Sequence, residues 1–285
     1  MRYEAPTSVD AAVALLSGAG PETKILAGGT DLLVQLRTDL ISPQVVVDIK
    51  KIDETREITE NAGGFRIGAA VSSAELNEHE GLKSQWPGLV EAAWLIGSTQ
   101  IMGRASLGGN LCNGSPAADS VPAMIAAGAV ALLAGPNGRR EVPVEDIVVG
   151  PRKLSLLAGE FIVSFNLPPR PERSSDAYQR FIPRTEMDIA VVGVGVSITR
   201  DADGTITNAR VGLGAVAEKS QLVSDAASAI IGTKLDETAL DALDTAIQAA
   251  CRPINDKRGT VEFRTSVAGV IARRTAETAY ERAGA

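Results

Sequence analysis

The alternation of apolar and polar positions in the N-terminal segment predicts helix, strand, helix, strand. Thr7-Ser8-Val9-Asp10 opens a helical pattern that keeps its apolar spacing through Leu16 and stops at Gly18. Lys24-Ile25-Leu26-Ala27 is a short apolar strand cut off by Gly28-Gly29, and Asp31-Leu32-Leu33-Val34-Gln35-Leu36 returns to helical spacing. Gln44-Val45-Val46-Val47-Asp48-Ile49 is β-branched and reads as a buried strand. The texture then changes. Glu57-Ile58-Thr59 and Phe65 to Val71 form a hairpin across Asn61-Ala62-Gly63-Gly64. Ser73 to Gly97 is mostly helical, Gly103 to Pro116 is a glycine-rich loop, Asp119 to Ala127 is a small-residue helix, and two strands flank Pro136-Asn137-Gly138.

Pro168-Pro169-Arg170-Pro171-Glu172-Arg173 is proline-rich and charged, which keeps it out of a sheet interior and marks a linker. Strands follow around Tyr178 and Val191, then a hairpin at Asp201-Ala202-Asp203-Gly204, then a largely helical stretch from Ser220 onward. The D-x-D-G piece lacks the rest of a calcium loop and is a turn. The pattern is α+β in two domains, divided near the proline cluster.

Composition narrows the function. The chain has 285 residues with 45% apolar side chains, enough for two domains and a sizeable core. A net charge of −7 without a Lys/Arg tract argues against nucleic acid or anionic membrane as the main partner. No run has the length of a membrane span, and Met1 to Pro6 shows no apolar signal core. The two cysteines, Cys112 and Cys251, are far apart, which points to a reducing cytoplasm rather than a disulfide framework. With His79 the single histidine, the chain lacks the ligands for a zinc site or an iron–sulfur cluster. His79 itself is expected to be an ordinary surface side chain.

Two glycine pairs carry the candidate chemistry. In Ala27-Gly28-Gly29-Thr30-Asp31 and in Ala105-Ser106-Leu107-Gly108-Gly109-Asn110, the missing Cβ atoms would let backbone N–H groups approach a ligand. Such N–H groups form a nest suited to phosphate oxygens, with Thr30 and Ser106 adding hydroxyls. Either pair alone is equally an ordinary tight turn. Two together suit a dinucleotide diphosphate, each gripping one side. In Ser115-Pro116-Ala117-Ala118-Asp119 the carboxylate is either a ribose acceptor or the N-cap of the next helix. A rival fingerprint, Gly212-Leu213-Gly214-Ala215-Val216-Ala217 with Asp236 downstream, fits G-x-G-x-x-A, but no strand follows to close a βαβ unit.

The ordered set Ala27-Gly28-Gly29-Thr30-Asp31-Leu32, Ser106-Leu107-Gly108-Gly109-Asn110 and Ser115-Pro116-Ala117-Ala118-Asp119 resembles the three FAD-binding motifs of molybdenum hydroxylases. That family includes the flavin domain of xanthine dehydrogenase and the medium subunit of aerobic carbon monoxide dehydrogenase. Tyr178-Gln179-Arg180-Phe181, with Arg184 through Met187-Asp188-Ile189-Ala190, resembles a fourth block of the family. The likeness runs over nearly the whole chain. It implies an α+β fold with a vanillyl-alcohol-oxidase-type (PCMH) FAD-binding domain of two α/β subdomains, residues about 1–55 and 56–172. A C-terminal α+β domain would occupy 173–285.

The resemblance also assigns roles. Ile25, Leu26, Ala27, Gly28, Gly29, Thr30, Asp31 and Leu32 would line the path from adenosine to diphosphate. Ser106, Leu107, Gly108, Gly109 and Asn110 would bind the diphosphate from the other side, and Asp119 the ribose. Ile96, Ile162 and Val163 would pack on the flavin or adenine, or serve as plain core. Arg180 stands where relatives often have lysine, and a guanidinium meets a flavin with different geometry. Ile189 stands where some relatives have an aromatic residue, so stacking from that position is lost. FAD would be held non-covalently, since no histidine or cysteine adjoins the first glycine pair. The implied activity is that of an oxidoreductase subunit with no catalytic acid–base pair of its own. Electrons would come from iron–sulfur clusters in a small partner subunit, and a large partner subunit would hold the molybdenum cofactor. They would leave to an external acceptor, in a dimer of heterotrimers. A stand-alone flavin oxidase or reductase of the same fold and a non-catalytic assembly subunit are the alternatives.

Overall fold

The computed structural model describes all residues except 19, 21, 185 and 186. The two residues between Arg184 and Met187 in the fourth block therefore lie outside the described residues.

The N-terminal unit is a small parallel sheet. Strands β1 (Arg2–Glu4), β2 (Thr23–Leu26) and β3 (Val45–Asp48) pair in the order β1-β3-β2. Helices α1 (Val9–Gly18) and α2 (Leu32–Arg37) make the crossovers that parallel pairing requires. All four residues of β3 are buried because it is the central strand. β1 was not legible in Arg2-Tyr3-Glu4, whose three side chains are mostly solvated, so no apolar alternation marks them.

The second unit is a five-stranded antiparallel sheet, β4-β5-β10-β6-β7. β4 (Ile58–Asn61) and β5 (Gly64–Gly68) join through Ala62 and Gly63, both at positive φ, the two-residue hairpin turn. α3 (Ser73–Glu78) starts in a capping box between Ser72 and Glu75, and α4 (Glu80–Gln85) and α5 (Pro87–Trp94) follow. His79 is not a free surface group: its Nδ1 accepts from Leu82 N–H and so caps α4. Next come α6 (Leu107–Cys112), α7 (Ser120–Ala126), β6 (Val130–Gly135), β7 (Gly138–Pro143), the small pair β8 (Val148–Gly150) and β9 (Lys153–Leu154), and β10 (Phe161–Leu167). The expected loop from Gly103 to Pro116 thus contains a helix, which the low helix propensity of Gly108-Gly109 had hidden.

The C-terminal unit is an antiparallel sheet of β11 (Ser174–Phe181), β12 (Val192–Arg200), β13 (Ile206–Gly214) and β14 (Gln221–Leu222). α8 (Ser224–Ile230), α9 (Glu237–Ala250) and α10 (Val261–Arg282) complete it. Gly212 and Gly214, the rival fingerprint, are strand residues facing α7. A Cβ on Gly212 would lie 2.1 Å from the Pro122 carbonyl oxygen, and one on Gly195 of β12 2.7 Å from it. These glycines exist to admit a helix of the preceding domain, not a nucleotide.

The proline-rich linker is pinned rather than loose. Arg170 Nη2 donates to Asp176 Oδ1 at 2.7 Å while its guanidinium stacks 3.8 Å from the Trp86 ring centre. Asp176 Oδ2 accepts from Leu89 N–H at the start of α5, and Arg282 of α10 ion-pairs with Glu91 of α5. Among the described residues, no helix is long and apolar enough to cross a membrane.

Candidate functional site

The two glycine segments meet. A Cβ on Gly28 would lie 1.8 Å from the Arg104 carbonyl oxygen, so the first turn is pressed directly on the chain entering the second. Asn113, just past α6, donates from Nδ2 to Asp31 Oδ1 at 3.2 Å. Both segments wall one cavity of about 910 Å³, near the upper end for small-molecule sites.

The two glycine pairs serve it differently. At the first, Gly29 takes φ +84°, a turn that only glycine makes without strain. The N–H groups of Gly28, Gly29, Thr30 and Asp31 donate to no protein acceptor among the described residues. They remain available to a ligand. At the second, the expectation of free donors needs correcting, because the protein uses these N–H groups itself. Gly108 N–H donates to the Ala69 carbonyl, Gly109 N–H to Ser106 Oγ, and Asn110 N–H to the Ser106 carbonyl. What this segment provides is space: a Cβ on Gly109 would meet only Ser106 Oγ, at 3.2 Å. Gly108 has a packing reason, since a Cβ there would lie 2.5 Å from the Ala69 carbonyl oxygen. Asn110 Oδ1 accepts from Ser120 N and Oγ, which fixes α6 to α7 where Asn110 lines the cavity.

Thirteen of the residues singled out by sequence wall the cavity: Ile25, Ala27, Gly28, Gly29, Thr30, Asp31, Leu32, Ile96, Ser106, Gly108, Gly109, Asn110 and Ile162. Five do not. Leu26 packs its side chain under Gly29. Leu107 and Val163 are core side chains, Val163 as the extra residue where the β10–β6 register shifts. Asp119 and Arg180 have found each other. Arg180 Nη1 donates to Asp119 Oδ2 at 2.6 Å, and Tyr178 Oη donates to Asp119 Oδ1 at 2.9 Å. Asp119 makes no side-chain cap to α7 either, so it does not fill the N-cap role weighed for it. Its carboxylate ties α7 to β11 across the two domains.

Burial pushes the Asp119 carboxyl up to about 6, with Arg180 and Tyr178 pulling the other way. From its ordinary value of 3.8 up to about 6, the folded protein holds a proton that the unfolded chain has released. The contribution of this group to stability therefore falls as pH rises through that window and is level above it. The margin in thermal midpoint of wild type over Asp119→Asn should shrink from about pH 4 to about 6 and then stay constant. A margin independent of pH would refute that assignment.

Several wall residues had no sequence signal. Arg152 sits at φ +58°, a strained conformation for a side chain of its size, and lines the cavity together with Leu154, Leu156 and Phe161. Cys112, half-buried, also reaches the wall, and burial pushes its thiol up to about 12. A cavity with unpaired N–H groups at one turn, a side-chain-free helix start opposite and apolar Ile25, Ile96, Ile162 and Leu156 between them fits a large aromatic dinucleotide.

Comparison with known proteins agrees. Residues 1–170 match the FAD binding domain in molybdopterin dehydrogenase, and residues 177–279 the CO dehydrogenase flavoprotein C-terminal domain. The chain is 32% identical over 280 residues to the carbon monoxide dehydrogenase medium chain of Hydrogenophaga pseudoflava, covering 98% of this chain and 97% of that one. It is 31% identical over 284 residues to the xanthine dehydrogenase FAD-binding subunit of Escherichia coli O157:H7, covering 99% and 96%. Its fold superimposes on the CO dehydrogenase of Oligotropha carboxidovorans with a TM-score of 0.94 at 33% identity, covering 99% of this chain and 98% of that one. With quinoline 2-oxidoreductase of Pseudomonas putida the TM-score is 0.90 at 26% identity, at the same coverage. The chain belongs to the family of FAD-binding medium subunits of molybdenum hydroxylases.

Proposed function

We propose that the chain holds FAD non-covalently in this cavity and relays electrons through it within a molybdenum hydroxylase complex. The observation that carries the reading is the row of unpaired N–H groups from Gly28 to Asp31, facing the same cavity as the bare Gly109 position. Those N–H groups hold the diphosphate with the Thr30 and Ser106 hydroxyls and the Asn110 amide. Ile96 and Ile162 pack on the ring systems. Bound FAD would supply a two-electron store between single-electron donors and the acceptor. The chain's own part is to bind it, orient it and keep water from its apolar faces. Asp119 and Arg180 are assigned to joining the domains rather than to ribose or flavin.

The electrons arrive from iron–sulfur clusters of a small partner subunit, the molybdenum cofactor resides in a large partner subunit, and an external acceptor takes the electrons away. The complex is a cytoplasmic dimer of heterotrimers, and this subunit divides into 1–172 and 173–285. The test is the absorption spectrum of the complex purified from cells making all its subunits, followed by acid precipitation. A flavin spectrum with the chromophore released as FAD is expected. Colourless protein would end the reading, and a chromophore retained on the polypeptide would end the non-covalent part of it.

A further inference from the structure

The N–H donors of the first glycine turn do not aim themselves. Lys50 lies just beyond β3, and its Nζ donates to the Ala27 carbonyl at 2.9 Å and to Asp48 Oδ1 at 2.7 Å. Asp48 Oδ1 also accepts from Lys50 N–H, and Asp48 Oδ2 accepts from Tyr3 Oη at 2.7 Å. The network joins β1, the end of β2, and β3, so all three strands of the parallel sheet converge on one carbonyl. Burial raises the Asp48 carboxyl, but the hydrogen bonds from Lys50 and Tyr3 outweigh it and the net direction is down. Asp48 is therefore a settled carboxylate holding its ammonium partner.

The consequence follows from peptide geometry. In a planar trans peptide, the C=O and the N–H of one unit point in opposite directions. Anchoring the Ala27 carbonyl on the Lys50 side turns the Gly28 N–H of that same unit to the other side, where it has no acceptor among the described residues. Gly28 itself is wedged against the Arg104 carbonyl, so the unit has little room to rotate back. A cation on a carbonyl also polarises the peptide and strengthens its N–H as a donor. Asp48 offsets the charge of Lys50, so the anion on the far side meets an aimed dipole.

We propose that Lys50 is a positioning residue for the diphosphate: through the Ala27 carbonyl it aims and polarises the Gly28 N–H. This rests on the FAD reading above, and its test separates the two. Deflavo-complex carrying Lys50→Met is titrated with FAD and, separately, with riboflavin, which has no phosphate, alongside wild type. FAD affinity is expected to fall about tenfold, the size of one charge-assisted hydrogen bond. Riboflavin affinity should stay at the wild-type value, while the thermal midpoint of the deflavo-complex should fall in Lys50→Met, because the buried Asp48 carboxylate loses its ammonium partner. Lys50→Arg, which keeps a cationic donor, should remain within about threefold of wild type for FAD. Unchanged FAD affinity in Lys50→Met would overturn the proposal, and so would equal losses for FAD and riboflavin, which indicate general damage to the cavity. Failure of wild type to bind FAD would instead strike the underlying reading.

Discussion

Gly109→Val is expected to leave the subunit folded and empty of flavin. A Cβ at this position meets only Ser106 Oγ, at 3.2 Å, so the protein accepts the first carbon with a shift of a few tenths of an ångström. Within α6 the exchange is mildly favourable, because valine forms helix better than glycine by a few tenths of a kcal/mol. The two γ-methyls have no protein space to enter and fill the cavity beside the Ser106 hydroxyl. FAD affinity should drop by at least about 100-fold, roughly 3 kcal/mol, with the thermal midpoint of the flavin-free protein unchanged. Flavin absorbance per subunit in the purified complex is the measurement, and full occupancy would remove α6 from the site. Gly28 makes the contrast. Its Cβ would sit 1.8 Å from a backbone oxygen, so substitution there pushes the two segments apart and costs stability as well as cofactor.

The second large effect lies at the domain junction. Asp176→Ala removes the only carboxylate that the Arg170 guanidinium pairs with among the described residues. Both side chains are nearly dry, at 8% and 2% exposure, so the variant leaves a buried charge uncompensated. Such a loss costs about 3–5 kcal/mol, or a fall of roughly 10 °C in thermal midpoint for a chain of this size. Arg170→Met added to it should recover part of the loss, since removing both charges avoids the desolvation that breaking one incurs. Recovery stays partial because the Leu89 N–H, which donates to Asp176 Oδ2, is still without its acceptor. Calorimetry on the four proteins of that cycle decides it. Additive losses would show that Asp176 acts through α5 alone and not through Arg170.

The linker reading of residues 168–173 shows where sequence reasoning stops. Three prolines and three charged residues identify a segment that cannot join a sheet interior, and the chain does change sheets there. That one of those arginines is buried under Trp86, far back along the chain, depends on a contact that no local pattern encodes. His79 is similar: its polar neighbours suggested a surface side chain, whereas the kink between two short helices makes it a cap.

The amino-acid sequence by itself determined where the chain turns and what it is related to. Gly28-Gly29 ends a strand and Pro136-Asn137-Gly138 joins two, because backbone conformations open only to certain residues are written in single letters. The order of three short motifs marked the family for the same reason. Only the tertiary structure decided what each glycine is for. Gly28 and Gly108 clear neighbouring backbone, Gly109 clears the cavity, and Gly212 clears Pro122 of another domain. It also sent Asp119 to Arg180 and Lys50 to the Ala27 carbonyl. A missing Cβ records that something comes close, but what comes close is set by chain segments remote in sequence. A charged side chain likewise takes whichever partner folding leaves beside it in a dry place.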